Sequence, residues 1–127
     1  MRALPLLLLL IPLSSVADIV TVDFVRVLNG NTQEALYYYE HNWKQHRIEA
    51  ARRGFISSYQ MLVRISEEGE TDILLMTGYA SREQYDDREA NFAIVMNRGE
   101  GNGPVLLNDV TPAEFREVYD GANYSDE

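Results

Sequence analysis

The stretch NTQEALYYYEHNWKQHRIEAARRG, Asn31 to Gly54, reads as one long helix with signals at both ends. Asn31 is placed to cap it, with Glu34 three residues on. Arg52 and Arg53 fall in its last turn, and Gly54 supplies a left-handed stop. At about 100° per residue, Leu36, Tyr37, Tyr39, Trp43, Ile48, Ala50, Ala51 and Phe55 share one broad face. Glu40, Lys44 and Arg47 lie within that apolar stripe, while Tyr38, His41, Asn42, Gln45 and His46 occupy or border the opposite side. Charges inside an apolar stripe are the anomaly of this sequence.

Before the helix, IVTVDFVRV (Ile19 to Val27) reads as a strand. It alternates Val20, Val22 and Phe24 against Thr21, Asp23, Val25 and Val27. After it, SSYQMLVRIS (Ser57 to Ser66) and TDILLMTGY (Thr71 to Tyr79) flank a charged turn at Gly69 and make a hairpin. Ser81, with Gln84 at the capping-box position, opens a second helix that Gly99 closes. Val105 to Leu107 is the candidate fourth strand. Thr111-Pro112 begins a terminal helical turn or two ending near Gly121, and residues 122–127 read as a polar, frayed tail.

Strand, helix, strand, strand, helix, strand is the order of an α+β, ferredoxin-like antiparallel sheet with two helices on one face. Val25, Val27, Leu62 and either Ile73/Leu75 or Leu74/Met76 are then expected on the uncovered face. Burying such side chains is worth roughly 1.5–3 kcal/mol each. A homodimer with sheets packed face to face is the expected remedy.

The residues MRALPLLLLLIPLSSVA have a basic start, a short apolar run and a small-residue ending, the layout of a secretory leader cleaved after Ala17. The single domain is then 18–121, and the location periplasmic or secreted. Cysteine is absent, which removes disulfides and thiol chemistry. Loss of Arg2 with the leader leaves ten basic residues against twenty acidic ones. Such a chain repels nucleic acid and anionic membranes. Asn31 to Gly54 is the locally cationic stretch, with four bases against three acids.

The element order, the helix carrying Glu40, Trp43 and Lys44, and the apolar second sheet face resemble the dimeric α/β-barrel superfamily. That superfamily includes antibiotic-biosynthesis monooxygenases, haem proteins of the chlorite-dismutase kind, stress-responsive barrels and proteins of unassigned activity. The resemblance spans about Val20 to Arg98 and implies a pocket between helices and sheet, with no particular chemistry and the cofactor unknown.

Tyr39, Glu40, Trp43, Lys44 and Arg47 are the candidate lining of such a pocket. The cations would bind a small aromatic or anionic ligand, and Glu40 or a Tyr would handle a proton. The bland reading of the charged set is a half-buried ion pair whose long stems lie along the core. Three functions stay open: ligand binding, cofactor-free or haem-dependent monooxygenase or isomerase activity, and a structural or partner-binding module. His41 and His46 stand five residues apart, about 140° around a helix, and do not form an i,i+4 metal pair. No metal is expected, and the resemblance admits haem ligation by only one of them. Asp86-Asp87 with Glu83 and Glu89 lacks the alternating loop of a calcium site. No serine has the context of a nucleophile elbow.

Overall fold

The computed structural model describes residues 17–97 and 103–125. Four strands, β1 (Ile19–Val27), β2 (Ser58–Ile65), β3 (Thr71–Tyr79) and β4 (Arg116–Ser125), form one antiparallel sheet in the order β2-β3-β1-β4. The helical segments are α1 (Thr32–Tyr38), a π-helical turn (Tyr39–Trp43), α2 (Lys44–Arg52), α3 (Arg82–Asp86), α4 (Arg88–Asn97) and α5 (Pro112–Phe115). This is the ferredoxin-like α+β fold that the pattern of elements predicts. The Ala17–Asp18 junction is described only from Ala17 onward, so the rest of the leader lies outside the described residues, as do Gly99, Glu100 to Asn102 and the last two residues of the tail.

The fourth strand is not where the apolar run Val105 to Leu107 placed it. Instead Arg116 to Ser125 pairs with β1 from Val27↔Arg116 to Ile19↔Ser125. Tyr119 is an extra residue between the pairs Val25↔Val118 and Phe24↔Asp120, a bulge that lays its ring beside Phe24 at 6.2 Å. The terminal helix is accordingly only Pro112–Phe115, begun by a capping box between Thr111 and Glu114. Residues 122–125 of the expected tail belong to the sheet. Residues 105–107 are instead fastened by Asn42, whose Nδ2 donates to Val105 O at 2.8 Å while its Oδ1 accepts from Val105 N at 2.8 Å. Leu106 and Val110 thereby reach the core.

Two apolar clusters fill the space between sheet and helices. One holds Val25, Ala35, Tyr39, Ile73, Leu75 and Phe115; the other holds Ile19, Ala50, Ile56, Tyr79 and Val95. The inward positions of β1 and β3 between them are polar: Thr21, Asp23 and Thr77. A belt of polar groups therefore crosses the layer between the clusters.

The long helix is not continuous α-helix. Lys44 N–H bonds Tyr39 O, an i→i+5 contact, and the turn holds one residue more than an α-helical turn. Side chains occupy neighbouring carbonyls: Asn42 Nδ2 donates to Tyr38 O at 2.8 Å and Gln45 Nε2 to Glu40 O at 3.3 Å, while His41 Nδ1 lies 2.9 Å from Tyr37 O. The consequence is rotational. Ala35, Tyr39, Trp43 and Arg47 advance in steps of four, which in an α-helix drifts by about 120° over three steps; one inserted residue cancels about 100° of that. Arg47 is thereby brought into line with Ala35, and Ile48, expected in the core, is 42% exposed. Tyr38, expected toward solvent, packs on Phe115 at 5.2 Å.

At the helix start Asn31 makes no side-chain cap. Its Nδ2 instead donates to Glu114 O at 3.1 Å, tying the helix to α5. Gly54 does take the left-handed conformation, with φ +75°. In the second helical region Ser81 Oγ accepts from Gln84 N at 3.1 Å, but the helix breaks at Asp87 into α3 and α4.

The uncovered sheet face also differs from expectation. Val25 and Val27 point at the helices with Ile73 and Leu75, since the register places Val25 opposite Ile73. The open face carries Val20, Val22 and Phe24 of β1, Leu62 of β2, and Leu74 and Met76 of β3. A groove of about 390 Å³ runs across it, bordered by Phe24, Leu62, Leu74 and Tyr119, with the Arg64–Asp72 ion pair at its rim.

Candidate functional site

The candidate site is the polar belt beneath the π-turn. Tyr39 and Trp43 descend from the turn itself and Arg47 from α2. The floor is β1 and β3, and α4 supplies the far wall through Phe92. Arg47 Nε donates to Thr77 Oγ1 at 2.9 Å. Its guanidinium carbon lies 4.1 Å from the Phe92 ring centre and 4.9 Å from that of Trp43, so the cation is held between two aromatic rings. Among the described residues no carboxylate comes within 4.0 Å of it. Burial pulls the guanidinium down to about 10, with Tyr79 and Asp23 opposing.

Asp23 is the countercharge on the floor, beyond ion-pair distance. Its inward register position beside Val25 would bury it under a complete helical layer, yet Asp23 stays exposed. The helices therefore leave an opening over β1 and β4. Gly121 stands opposite Asp23 in β4, where a Cβ would lie 3.5 Å from Asp23 Oδ1. Burial still raises the Asp23 carboxyl above the ordinary carboxylate range, and Arg47 pulls it back down.

Three polar atoms of this layer are buried without a hydrogen-bond partner: Tyr39 Oη, Trp43 Nε1 and Arg116 Nε. Tyr39 is 3% exposed, and its phenol is pushed up to about 12 by burial, against the pull of Arg116. Arg116 thus acts on the Tyr39 hydroxyl electrostatically without a bond of normal geometry between them. Orphaned buried donors cost about 1–3 kcal/mol each unless something accepts from them. Together they provide two cationic groups, two further donors and one carboxylate in a single layer.

The five residues singled out in the sequence divide. Tyr39, Trp43 and Arg47 come together facing the sheet. Glu40 and Lys44 pair with each other on the half-exposed flank of the helix, Nζ to Oε1 at 2.9 Å, and Arg47 takes no part. The three charges do not meet because the extra residue of the π-turn rotates Arg47 away from Glu40, while Lys44, about 60° from Arg47 around α2, reaches back to Glu40 on the flank. Asp23, Thr77, Phe92 and Arg116 complete the layer and were not singled out. A signal for Asp23 exists in the sequence: it is the one charge on the inward side of an otherwise apolar strand.

Both histidines look away from this layer. His41 stacks on Tyr37 with ring centres 3.9 Å apart, and His41 and His46 border a separate outer cavity of about 470 Å³ with Asn42 and Val105. Burial and neighbouring Arg47 lower His46. A haem ligated from this helix toward the sheet does not fit these positions. Among the described residues, no three of His, Cys, Asp or Glu converge to hold a metal ion. No described helix is long and apolar enough to cross a membrane.

The comparisons with known proteins agree with the fold and stop there. No family model matches the sequence, and no curated protein matches it. A solved structure of a protein from Bacillus cereus, provisionally designated an antibiotic biosynthesis monooxygenase, superimposes with a TM-score of 0.55 at 14% identity. The match covers 87% of this chain and 92% of that one. At that identity the likeness establishes the ferredoxin-like architecture; the chemistry has to be argued from this chain's own residues.

Proposed function

We propose that the protein is an exported homodimer that binds a small planar anion, a carboxylate or enolate, between the π-turn and the sheet. The observation that carries this reading is Arg47. Its cation is held between Trp43 and Phe92, anchored through one nitrogen to Thr77, and has no carboxylate partner among the described residues. A buried guanidinium of this kind has terminal donors directed for recognition rather than spent on an internal ion pair. The aromatic walls favour a flat ligand. Titration calorimetry with benzoate and with benzamide tests it. Benzoate is expected to bind at least tenfold more tightly, and the difference to vanish in Arg47→Met. Equal affinity for the two would overturn the reading.

A second reading is supported by the Tyr39 hydroxyl, which is buried, protonated at neutral pH and without a partner. Beside Asp23 it would hand a proton to, or donate a hydrogen bond to, a bound enolate, as a cofactor-free monooxygenase or isomerase requires. The likeness to the Bacillus cereus protein is compatible with this chemistry. Tyr39→Phe separates the readings: binding of benzoate persists in both, whereas turnover of an enolisable substrate would fall by about 10²–10⁴-fold only in the second.

The homodimer rests on the open sheet face. Phe24, Leu62, Leu74 and Met76 form a contiguous apolar surface, with Leu62 42% and Tyr119 43% exposed. A second copy packed face to face would cover it.

A further inference from the structure

We propose that folding shuts the leader's cleavage site, so that hydrolysis of the Ala17–Asp18 bond has to come before β1 enters the sheet. The inference rests on the reading of residues 1–17 as a cleaved leader and adds to it the order of events.

No free chain separates the scissile bond from the first strand, which begins at Ile19. Asp18 N donates to Tyr79 O at 2.9 Å, and Ile19, the next residue, is 6% exposed and paired with both Tyr79 and Ser125. Ala17 itself is seated against the sheet. A Cβ built on Gly78 would stand 2.8 Å from Ala17 Cβ and 2.1 Å from Ser58 Oγ, so the absent side chain at Gly78 is the notch in which Ala17 and Ser58 lie. The residues on both sides of the bond are therefore in contact with the fold.

A peptidase that recognises small residues before the bond must take its substrate as extended chain, with residues on either side withdrawn from other partners. For this chain that means lifting residues 17–20 off the sheet. β1 lies between β3 and β4, so its first residues cannot leave one neighbour without leaving the other, and Ile19 would come out of the second apolar cluster. Cleavage of the folded protein then proceeds only through the small opened population, about a hundredfold or more below the closed one for an opening of a few kcal/mol. In the reaction water adds across the amide, leaving a carboxylate on Ala17 and an amine on Asp18. The freed amine keeps its place against Tyr79 O.

The test uses the full 127-residue chain and a bacterial signal peptidase in mild detergent, with products identified by intact mass. The chain is offered folded and, separately, freshly diluted from denaturant before refolding. A third sample carries Gly-Ser-Gly-Ser inserted between Ala17 and Asp18 and is offered folded. The expected result is rapid cleavage of the unfolded chain to a product beginning at Asp18, cleavage at least a hundredfold slower for the folded chain, and recovered cleavage of the folded insertion variant. If the unfolded chain is left intact or is cut elsewhere, the leader reading fails. If the folded chain is cut as fast as the unfolded one, or the folded insertion variant stays resistant, the leader reading stands and the shielding by the fold is refuted.

Discussion

Arg47 Nε donates to Thr77 Oγ1 at 2.9 Å, and this bond joins the long helix to a central strand across the polar belt. Thr77 is 2% exposed and its neighbour in the sheet is Thr21, whose Oγ1 lies 3.5 Å from Thr77 O. The cation is thus oriented by a buried hydroxyl, which has one proton and spare acceptor capacity to offer. Replacing Thr77 by Val keeps the shape and removes the acceptor. Thr77→Val is expected to lower the unfolding free energy by about 1–3 kcal/mol, as for a buried donor left unsatisfied. It should also weaken benzoate binding, because Arg47 loses its direction. Urea unfolding with the calorimetric titration reads both.

Arg47 itself is expected to be kept for binding at some expense of stability. Burial disfavours its charge, and no carboxylate within 4.0 Å compensates it among the described residues. Arg47→Met retains a long flexible stem between Trp43 and Phe92 while removing the charge. The ligand-free variant is expected to be as stable as the parent or up to about 1 kcal/mol more so. Denaturant midpoints with unchanged m-values would establish this, and a loss of more than 2 kcal/mol, on the scale of breaking a compensated interior pair, would mark Arg47 as structural.

Asp23 sets a pH dependence of definite sign. Its carboxyl is raised in the folded protein, by burial ahead of the opposing pull of Arg47, so the native state holds this proton more tightly than the unfolded chain. Its contribution is therefore most favourable below the unfolded value of 3.8 and declines as pH rises through the folded value. Asp23→Asn removes that decline. The variant should melt higher than the parent at neutral pH, with the difference shrinking as pH falls toward the ordinary aspartate range. Thermal melts from pH 3 to 8 give the comparison; a parent more stable than the variant at pH 7 would reverse the assigned direction.

The open face makes a prediction about assembly. Leu74 lies in mid-sheet on β3, opposite Phe24 and Leu62. Leu74→Arg places a charge where the second copy would pack, with no interior contact to lose on the helix side. Sedimentation velocity is expected to show a dimer for the parent and a monomer for the variant, with far-ultraviolet circular dichroism unchanged. A parent that sediments as a monomer at micromolar concentration would remove the homodimer.

The clamp between Asn42 and Val105 is open to direct measurement. Asn42 exchanges two hydrogen bonds with one backbone residue and spends a third on Tyr38 O. Asn42→Ala is expected to destabilise the fold by about 1–2 kcal/mol. It should also accelerate hydrogen exchange at the Val105 amide by at least tenfold while the amides of β3 are unaffected.

Much of the architecture was legible because local patterns agreed with it. Alternation in Ile19 to Val27, the two runs flanking Gly69 and the caps at Gly54 and Ser81 all describe features present in the fold. The fourth strand was not legible, because β4 is held through its backbone to β1. Its side chains are mostly exposed, and Asp120, Gly121 and Asn123 are turn-formers by composition. The short apolar run that looked like a strand serves to plug the first cluster through Leu106.

The sequence by itself determined the antiparallel α+β architecture, the two-faced first strand and an anomaly of charge on one helix, since periodicity and caps are local properties of the chain. Only the tertiary structure decided which charge turns inward. One additional residue in the turn from Tyr39 to Trp43 rotates everything after it, and a constant 100° step carries no trace of that. It turns Arg47 away from Glu40 and sets it over Asp23 and Thr77, residues brought from two separate strands. A helical phase shift of this kind is held by carbonyl partners from side chains and by packing on the sheet, so it exists only once the sheet is there to receive it.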